Sequence, residues 1–236
     1  MPEPILSTNQ RTNLFCPGCG HPIVLNMLGH VLKELNLSDQ TALGLDIGCS
    51  LLAWNFLDCL TVQTHHGRTS SVMVGYKMAK PNKIALAYMG DGGAYAMGLQ
   101  SLINTAHRND PITIIVVNNG NYAMTGGQMS PTTTHGTVTT TSPRGRNKIF
   151  GAHLASANLI KNAAAEGSFV ARGTTANPLQ LKNLLAQAIK NQTENNNFSL
   201  IEVLSFCPTN WKTDAKGSFE RVRLMAEKFP LGEIAS

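Results

Sequence analysis

One stretch, residues 83–133, constrains the fold more than any other part of this sequence. It opens with an apolar run over residues 83–89, and a helical pattern then continues to Arg108. A second apolar run covers residues 112–117. Two short runs of strand-forming residues on either side of one amphipathic helix predict a βαβ unit with parallel strands. The sequence therefore predicts an α/β fold, with a parallel sheet between two layers of helices.

Glycines follow the first of these predicted strands. Gly90, Gly92 and Gly93 let the backbone approach an anionic group such as a diphosphate. The helix predicted to start near Ala94 directs free N–H groups to the same place. A Gly-Asp-Gly sequence alone is more typical of a tight turn, so the site is predicted from the whole strand–glycine–helix–strand pattern.

Oxygen donors also lie where the two predicted strands end. Asp91 follows the first strand, and Asn119 follows the second. Open α/β sheets bind ligands at the carboxyl ends of their strands, so both side chains are expected at one edge. Magnesium prefers oxygen ligands and retains phosphate oxygens among them. We therefore predict a magnesium site formed by Asp91, Asn119 and the backbone carbonyl of Asn121.

Composition sets limits on the kind of protein. A chain of 236 residues with 42% hydrophobic residues suits one large domain, 1–236. Charged residues are only 14%, which favours a subunit with surface buried against partners. The net charge of +5 favours anionic cofactors or an acidic electron carrier, or is incidental. No basic cluster indicates nucleic acid, and no signal peptide or membrane-length apolar run is visible, so a cytoplasmic protein is expected.

Apolar spacing outlines the rest of the chain. Helices are predicted over residues 22–35, 70–80, 153–166 and 178–190. Strands are predicted over residues 41–47, 168–172 and 198–206, while 51–62 fits no single element. An extended N-terminal arm (1–15) and an irregular C-terminal tail with one short helix (208–236) complete the chain. The polar loop 131–147 is functional or mobile, and its Arg144 and Arg146 are either solvated charges or contacts for a substrate carboxylate.

Four of the five cysteines are placed where they could meet. Cys16-x-x-Cys19 alone fits zinc, a redox dithiol or an iron–sulfur site. Cys49 and Cys207 each follow a predicted strand, at the edge that also holds Asp91. These four thiolates are the number that a [4Fe-4S] cluster takes. Cys59 lies in an apolar stretch and is expected to be a buried, inert thiol.

The pattern as a whole resembles the thiamine diphosphate (TPP) motif of TPP-dependent enzymes. The added segment Met-Thr-Gly-Gly-Gln-Met-Ser-Pro-Thr-Thr, residues 124–133, is similar to the β subunit of 2-oxoacid:ferredoxin oxidoreductases of the 2-oxoglutarate and 2-oxoisovalerate types. The resemblance extends from about Cys16 to about Gly232 and implies the TPP-binding fold. It implies that Cys16, Cys19, Cys49 and Cys207 hold a [4Fe-4S] cluster. It also implies TPP contacts from Ile47, Gly48, Cys49, Ser50, His66, Ala123, Met124 and Thr125.

Some of these assignments have alternatives or depart from the family pattern. His66 is otherwise a satisfied loop histidine, and Met124 is otherwise a core methionine. The remaining histidines, including His21, show no partner spacing and are expected in the core or at the surface. The family often has Asp where Gly93 stands and Ile where Asn121 stands. The first departure removes one contact on the diphosphate side, whereas the second matters little to a main-chain ligand.

The resemblance implies oxidative decarboxylation of a 2-oxoacid, with 2-oxoglutarate as the leading substrate. Coenzyme A takes the acyl group, and electrons pass through the cluster to ferredoxin. No carboxylate in this sequence lies in a motif suited to the TPP aminopyrimidine, and in this family a partner α subunit supplies it. An obligatory heteromer is therefore expected, with a ferredoxin-like subunit as well. The alternatives are a non-oxidative TPP-dependent decarboxylase or carboligase, and an electron-transfer module without TPP.

Overall fold

The computed structural model of the chain describes residues 13–235. The helices are α1 (His21–Glu34), α2 (Thr69–Ala79), α3 (Leu99–His107), α4 (Ser156–Ala163), α5 (Pro178–Glu194), α6 (Pro208–Trp211) and α7 (Ala215–Lys228). The strands are β1 (Thr41–Leu45), β2 (Leu60–Gln63), β3 (Ile84–Gly90), β4 (Thr113–Asn118), β5 (Asn121–Tyr122), β6 (Gln128–Met129), β7 (Phe169–Thr174), β8 (Ser199–Leu204) and β9 (Gly232–Glu233). Short 3₁₀ turns cover Ser38–Gln40, Cys49–Ala53 and Lys148–Phe150.

A seven-stranded sheet forms the centre of the molecule. Its order is β2-β1-β3-β4-β8-β7-β9, and only the last pair, β7 with β9, is antiparallel. Strands β3 and β4 are parallel neighbours, as the βαβ pattern predicts. The six parallel strands of this sheet are buried or half-buried on both faces, except at the exposed edge strand β2. This burial explains their continuous apolar runs.

Helices cover both faces of this sheet. On one face α1 and α5 pack together, with Leu25 and Leu185 among the fully buried residues of that core. On the other face α2, α3 and α4 pack in a row, with Met73 and Leu102 in a second core. The predicted three-layer α/β arrangement is confirmed.

The direction of winding reverses next to β1. From β1 the chain crosses to β2 on one side, and then returns to β3 on the other side. The segments that leave β1 and β3 therefore diverge at their carboxyl ends. Such a switch point opens a crevice between the two strands, and it is where open α/β sheets bind ligands.

The C-terminal tail differs from the prediction. Where an irregular tail with one short helix was expected, the chain forms α6, the fourteen-residue helix α7 and β9. Trp211, Val222, Met225 and Phe229 form a third apolar cluster with Cys207. The prediction was wrong because the apolar residues of the tail are buried by this docking, and their sparse spacing along the sequence gives little sign of it.

The helix after β3 also starts earlier than predicted. Helical backbone begins directly after Gly90, not near Ala94, and a wide π-helical turn over Gly93–Met97 precedes α3. In this turn the N–H of Gly98 donates to the carbonyl of Gly93 at 2.7 Å. Such turns are frequent at functional sites because they re-aim the residues around them.

Two further expectations concern the N-terminal arm and membrane-spanning helices. Most of the expected N-terminal arm, residues 1–12, lies outside the described residues. Within residues 13–235, no helix combines the length and apolar character needed to cross a bilayer.

Candidate functional site

One cavity opens at the crevice between the ends of β1 and β3. Its wall includes every residue predicted from the sequence to contact the diphosphate cofactor or magnesium. These are Ile47, Gly48, Cys49, Ser50, His66, Gly90, Asp91, Gly92, Gly93, Asn119, Asn121, Ala123, Met124 and Thr125. They come from four separate segments of the chain, so the fold assembles them at one edge of the sheet.

Asp91 lies at the floor of this cavity and is buried. The hydroxyls of Ser130 and Thr132 donate to its Oδ2 at 2.5 Å and 2.6 Å. Burial raises the pKa of Asp91 to about 6, although these two hydrogen bonds oppose the rise. A buried carboxylate with a raised pKa gains free energy when a cation neutralises it.

The turn after β4 brings two asparagines to the same cavity. The Oδ1 of Asn119 accepts a hydrogen bond from the backbone N–H of Asn121 at 3.1 Å. The buried Oδ1 of Asn121 has no hydrogen-bond partner within residues 13–235. An acceptor without a donor favours a cation, which adds a side-chain oxygen to the carbonyl expected at this position.

The two glycines just after β3, Gly92 and Gly93, have neighbours so close that no side chain would fit. A Cβ at Gly92 would lie 2.1 Å from Cε1 of Tyr122. A Cβ at Gly93 would lie 1.8 Å from Oδ2 of Asp46. The first glycine therefore lets the Tyr122 ring reach the cavity wall, and the second makes room for a carboxylate from β1.

Asp46 lies directly behind the cavity wall, against Gly93, and was not predicted from the sequence. Its carboxylate is fully buried and accepts from the N–H of Gly67 at 2.6 Å and from the hydroxyl of Thr69 at 3.1 Å. The Nδ1 of His66 lies 3.1 Å from Asp46 Oδ2 and 3.0 Å from the carbonyl of Ile47. The signal was available, since an ionisable residue directly follows the apolar run of β1.

These contacts assign the two nitrogens of His66. Both neighbours of Nδ1 are acceptors, so Nδ1 carries a proton and donates. The ring lines the cavity, and Nε2 is the nitrogen that remains for a ligand. The position of His66 as a cavity residue agrees with the sequence prediction, whereas His65 is exposed.

Two further wall residues were not singled out from the sequence. His21 was expected only as a core or surface residue, and it is both buried and part of the wall. Its Nδ1 lies 2.7 Å from the hydroxyl of Tyr88, and burial lowers the pKa of His21 to about 3. A neutral His21 and the ring of Tyr122 therefore present aromatic surface beside the exposed side chains of Ile47 and Met124.

The four predicted cluster cysteines gather beside this cavity. The N–H of Gly20 donates to the carbonyl of Phe206 at 3.1 Å, which places the Cys16–Cys19 turn against the segment that carries Cys207. Burial raises the pKa of Cys19 to about 12, and charge on Cys207, Cys49 and Cys16 would raise it further. The four thiols are therefore electrostatic neighbours.

The four cysteines do not form a finished metal site within the described residues. Across residues 13–235, no three His, Cys, Asp or Glu side chains are grouped closely enough to hold an ion. Burial also raises the pKa of Cys49 to about 11 and that of Cys207 above its ordinary value. Protonated thiols do not ligate iron, so these four could bind a cluster only by approaching one another and releasing their protons.

Two arginines and the fifth cysteine lie outside the cavity wall. Arg144 is exposed, whereas Arg146 is buried and donates only to backbone carbonyls, so a solvated charge is wrong for Arg146. Cys59 packs against the core on the α1 and α5 side, and burial raises its pKa to about 11. That environment agrees with an inert thiol.

Comparison with known proteins agrees with this geometry. The family model for the C-terminal TPP binding domain of thiamine pyrophosphate enzymes matches residues 46–203. The chain is 39% identical over 199 residues to 2-oxoglutarate synthase subunit KorB of Methanocaldococcus jannaschii, covering 84% of this chain and 70% of that protein. The chain belongs to the 2-oxoacid:ferredoxin oxidoreductase β-subunit family.

Other similar proteins differ in length from the chain. Ketoisovalerate oxidoreductase subunit VorA of Methanothermobacter thermautotrophicus is 34% identical over 222 residues, which are 92% of this chain and 46% of that protein. The chain thus spans about half the length of this relative. A solved structure of 2-oxoglutarate:ferredoxin oxidoreductase from Magnetococcus marinus, with 2-oxoglutarate, coenzyme A and succinyl-CoA bound, matches with a TM-score of 0.78 at 27% identity. That match covers 86% of this chain and 67% of the other.

The structure explains one departure from the β-subunit family pattern. An Asp side chain in place of Gly93 would enter the space that the Asp46 carboxylate fills. The chain instead carries a carboxylate at the end of β1, which is buried behind the wall and does not line the cavity.

Proposed function

We propose that this chain is the β subunit of a 2-oxoacid:ferredoxin oxidoreductase that converts a 2-oxoacid and coenzyme A to acyl-CoA and CO₂. The observation that carries the proposal is the single cavity, in which all predicted cofactor and magnesium residues meet beside four cysteines. Within residues 13–235, Asp91 is the only carboxylate in the cavity wall. The residues fit a diphosphate with its cation at one end and an aromatic, apolar wall at the other.

Different residues of the chain would bind the magnesium ion, the diphosphate and the rings of the cofactor. Asp91, Asn119 and Asn121 would hold magnesium, and Gly90, Gly92, Gly93 and His66 would face the diphosphate. Ile47 and Met124, both exposed in the chain alone, would pack against the rings of the cofactor and exclude water. When bound, TPP supplies the nucleophilic carbon needed to decarboxylate a 2-oxoacid.

Electron transfer would use the four gathered cysteines. Cys16, Cys19, Cys49 and Cys207 match the thiolate set of a [4Fe-4S] cluster, which supplies a one-electron acceptor next to the cofactor. Cys49 belongs to both regions, since it lines the cavity and neighbours the other thiols. Electrons would leave through this cluster to a ferredoxin or a ferredoxin-like subunit.

A partner α subunit would complete the site. The cavity encloses about 200 Å³, less than the ~300–1,000 Å³ typical of a complete ligand pocket. The chain therefore supplies one wall, and the carboxylate for the aminopyrimidine ring would come from the partner. We propose 2-oxoglutarate as the substrate, because KorB proteins are named for it and the Magnetococcus enzyme binds it.

The test is co-purification of the full chain with its neighbouring subunits, followed by three assays. We expect TPP by thiochrome fluorescence, iron by chelation, and viologen reduction that requires coenzyme A and is fastest with 2-oxoglutarate. A complex that contains no TPP would overturn the proposal. TPP without iron, together with CO₂ release but no dye reduction, would instead identify a non-oxidative decarboxylase.

A further inference from the structure

Three hydroxyl side chains form a compact unit behind the proposed cation site. Ser130, Thr132 and Thr133 are buried and come from one tight turn at the start of the polar loop. The backbone N–H of Ser130 donates to the hydroxyl of Thr133 at 2.8 Å, and the N–H of Thr133 donates back to the carbonyl of Ser130. We call these three residues the hydroxyl clamp.

The clamp binds both strand ends that would supply cation ligands. Ser130 and Thr132 donate to Asp91 Oδ2, after β3, at 2.5 Å and 2.6 Å. Thr133 donates to the carbonyl of Gly120, between Asn119 and Asn121, at 2.6 Å. One turn thus connects the carboxylate to the asparagine turn after β4.

Each hydroxyl proton in the clamp has a definite acceptor. Thr132 also lies 2.9 Å from Asn118 Oδ1, but that oxygen already accepts from the N–H of Gly120 at 3.0 Å. The Thr132 hydroxyl donates to the carboxylate, because an ionised oxygen is a stronger acceptor than an amide oxygen. Both hydroxyls donate to Oδ2, and neither occupies Oδ1 of Asp91.

Arg146 holds the clamp in place from the far side. Its guanidinium donates to the carbonyls of Ser130, Pro131 and Thr133 at 2.8–3.2 Å. It also donates to three carbonyls of residues 150–152. A planar, five-donor group can bind so many carbonyls at once, and lysine cannot.

We propose that the hydroxyl clamp positions Asp91 and the Asn119–Asn121 turn as one preformed cation site. The inference rests on the proposed function, since it assumes that magnesium binds with the diphosphate. The clamp residues are positioning residues, because they act on the ion through Asp91 and Gly120. Without Thr132 and Ser130, the Asp91 carboxylate is not held in one orientation, and part of the free energy of ion binding is used to orient it.

The test measures Mn²⁺ affinity by electron paramagnetic resonance in the purified complex with TPP present. Thr132→Val keeps the shape of the side chain and removes the hydroxyl, so we expect Mn²⁺ to bind about tenfold more weakly. Thr132→Ser restores the hydroxyl and should bind within about twofold of wild type. Thr134→Val, in the same loop but bonded only to Thr137, should leave the affinity unchanged.

Two further variants separate positioning from folding. Ser130→Ala removes the other bond to Asp91 and gives an independent measurement if Thr132→Val does not fold. In an Asp91→Asn background, Thr132→Val should cause no further loss, because the clamp acts through that carboxylate. Unchanged Mn²⁺ affinity in both Thr132→Val and Ser130→Ala, with wild-type binding intact, overturns the clamp alone. A wild-type complex that binds neither Mn²⁺ nor TPP overturns the proposed function together with the clamp.

Discussion

Gly93 and Asp46 form a pair in which the size of one residue sets the position of the other. The Asp46 carboxylate occupies the space that any side chain at residue 93 would enter. Hydrogen bonds from Gly67, Thr69 and His66 hold this carboxylate, so it cannot turn aside cheaply. A change at residue 93 should therefore act on His66 as well.

We expect Gly93→Ala to destabilise the chain by about 1–3 kcal/mol, the range for overpacking a close-packed site. TPP affinity should fall with it, because His66 loses its orientation. Chemical denaturation and thiochrome titration measure the two effects. Gly75→Ala, in α2 with open space around its Cβ position, is the matched control and should be neutral or stabilising. A double variant that combines Gly93→Ala with Asp46→Ala removes the clash and should be more stable than Gly93→Ala alone. A double variant as unstable as Gly93→Ala would contradict this explanation.

Asp46 should also make the stability of the chain depend on pH. Burial is the largest cause acting on its pKa and raises it above 3.8, although Gly67, His66 and Thr69 oppose the rise. A carboxyl with a raised folded-state pKa contributes stability that is complete below pH 3.8 and is lost as pH rises through the folded pKa.

Asp46→Asn cannot titrate, so it isolates this contribution. We expect the stability of wild type relative to Asp46→Asn to decline as pH rises from 4 to 7. Urea unfolding at each pH measures both proteins, and the difference cancels the other carboxyl groups. A difference that stays constant across this range would show that Asp46 has an ordinary pKa in the folded chain.

At the scale of elements, the loop between β6 and α4 is ordered by one side chain. Arg146 is buried and donates six hydrogen bonds to carbonyls at both ends of the loop. The hydrogen bonds of this buried guanidinium hold the polar loop together, since the loop lacks an apolar core of its own. The loop is thus structural around Arg146, while its Ser130 and Thr132 reach the site.

Arg146→Met should lower the free energy of unfolding by about 3 kcal/mol or more, since bonds from a charged donor contribute about 1.5–3 kcal/mol each and are not additive. Limited proteolysis should then cut within residues 134–149. Arg144→Met removes an exposed charge two residues away and should change stability by less than about 0.5 kcal/mol. Equal protease resistance in the two variants would contradict the role of Arg146.

A second polar element joins β7 to β8 within the sheet. Arg172 and Glu202 are buried and form an ion pair at 2.5 Å. Glu202 also accepts from Ser156 of α4 at 3.0 Å and from Asn118 of β4 at 2.8 Å. Since Asn118 Oδ1 contacts Thr132, this network reaches the proposed cation site.

Glu202→Gln should destabilise the chain by about 3–5 kcal/mol, because it leaves the Arg172 charge buried without a counter-ion. The combined Glu202→Leu and Arg172→Met variant should recover part of that loss, since it removes both charges. Glu220→Gln breaks an exposed pair with Arg223 and should have no measurable effect. Thermal and urea unfolding compare the four proteins, and a double variant as unstable as Glu202→Gln would refute the explanation.

At the scale of the whole molecule, one edge of the sheet collects groups from distant parts of the chain. The Cys16–Cys19 turn precedes α1, Cys49 follows β1, and Cys207 follows β8. Parallel strands end at the same edge, so the topology places Cys49 and Cys207 there, and the hydrogen bond from Gly20 to Phe206 brings the Cys16–Cys19 turn to the Cys207 segment. The edge would then carry electrons away from the cofactor cavity.

Cys207→Ser should lower the iron content of the anaerobically purified complex and abolish viologen reduction, because a hydroxyl replaces a required thiolate. TPP binding should persist, since Cys207 does not line the cavity. Cys59→Ser is the matched control, since the charge that acts on the Cys59 thiol comes from Asp58 and not from the other cysteines, and its iron content should equal that of wild type. Equal iron in both variants would exclude Cys207 as a ligand.

The sequence by itself determined the parallel sheet and most residues of the cavity wall. These features are local: a strand, its glycines and the polar residues at its end are contiguous, and their periodicity is a backbone property. Only the tertiary structure decided that Asp46 fills the space beside Gly93, that Tyr122 covers Gly92, that Arg146 is buried, and that the tail folds onto Cys207. Each of these depends on contacts between residues far apart in the chain, and the burial and hydrogen bonds of a side chain are set by the neighbours that the fold brings to it.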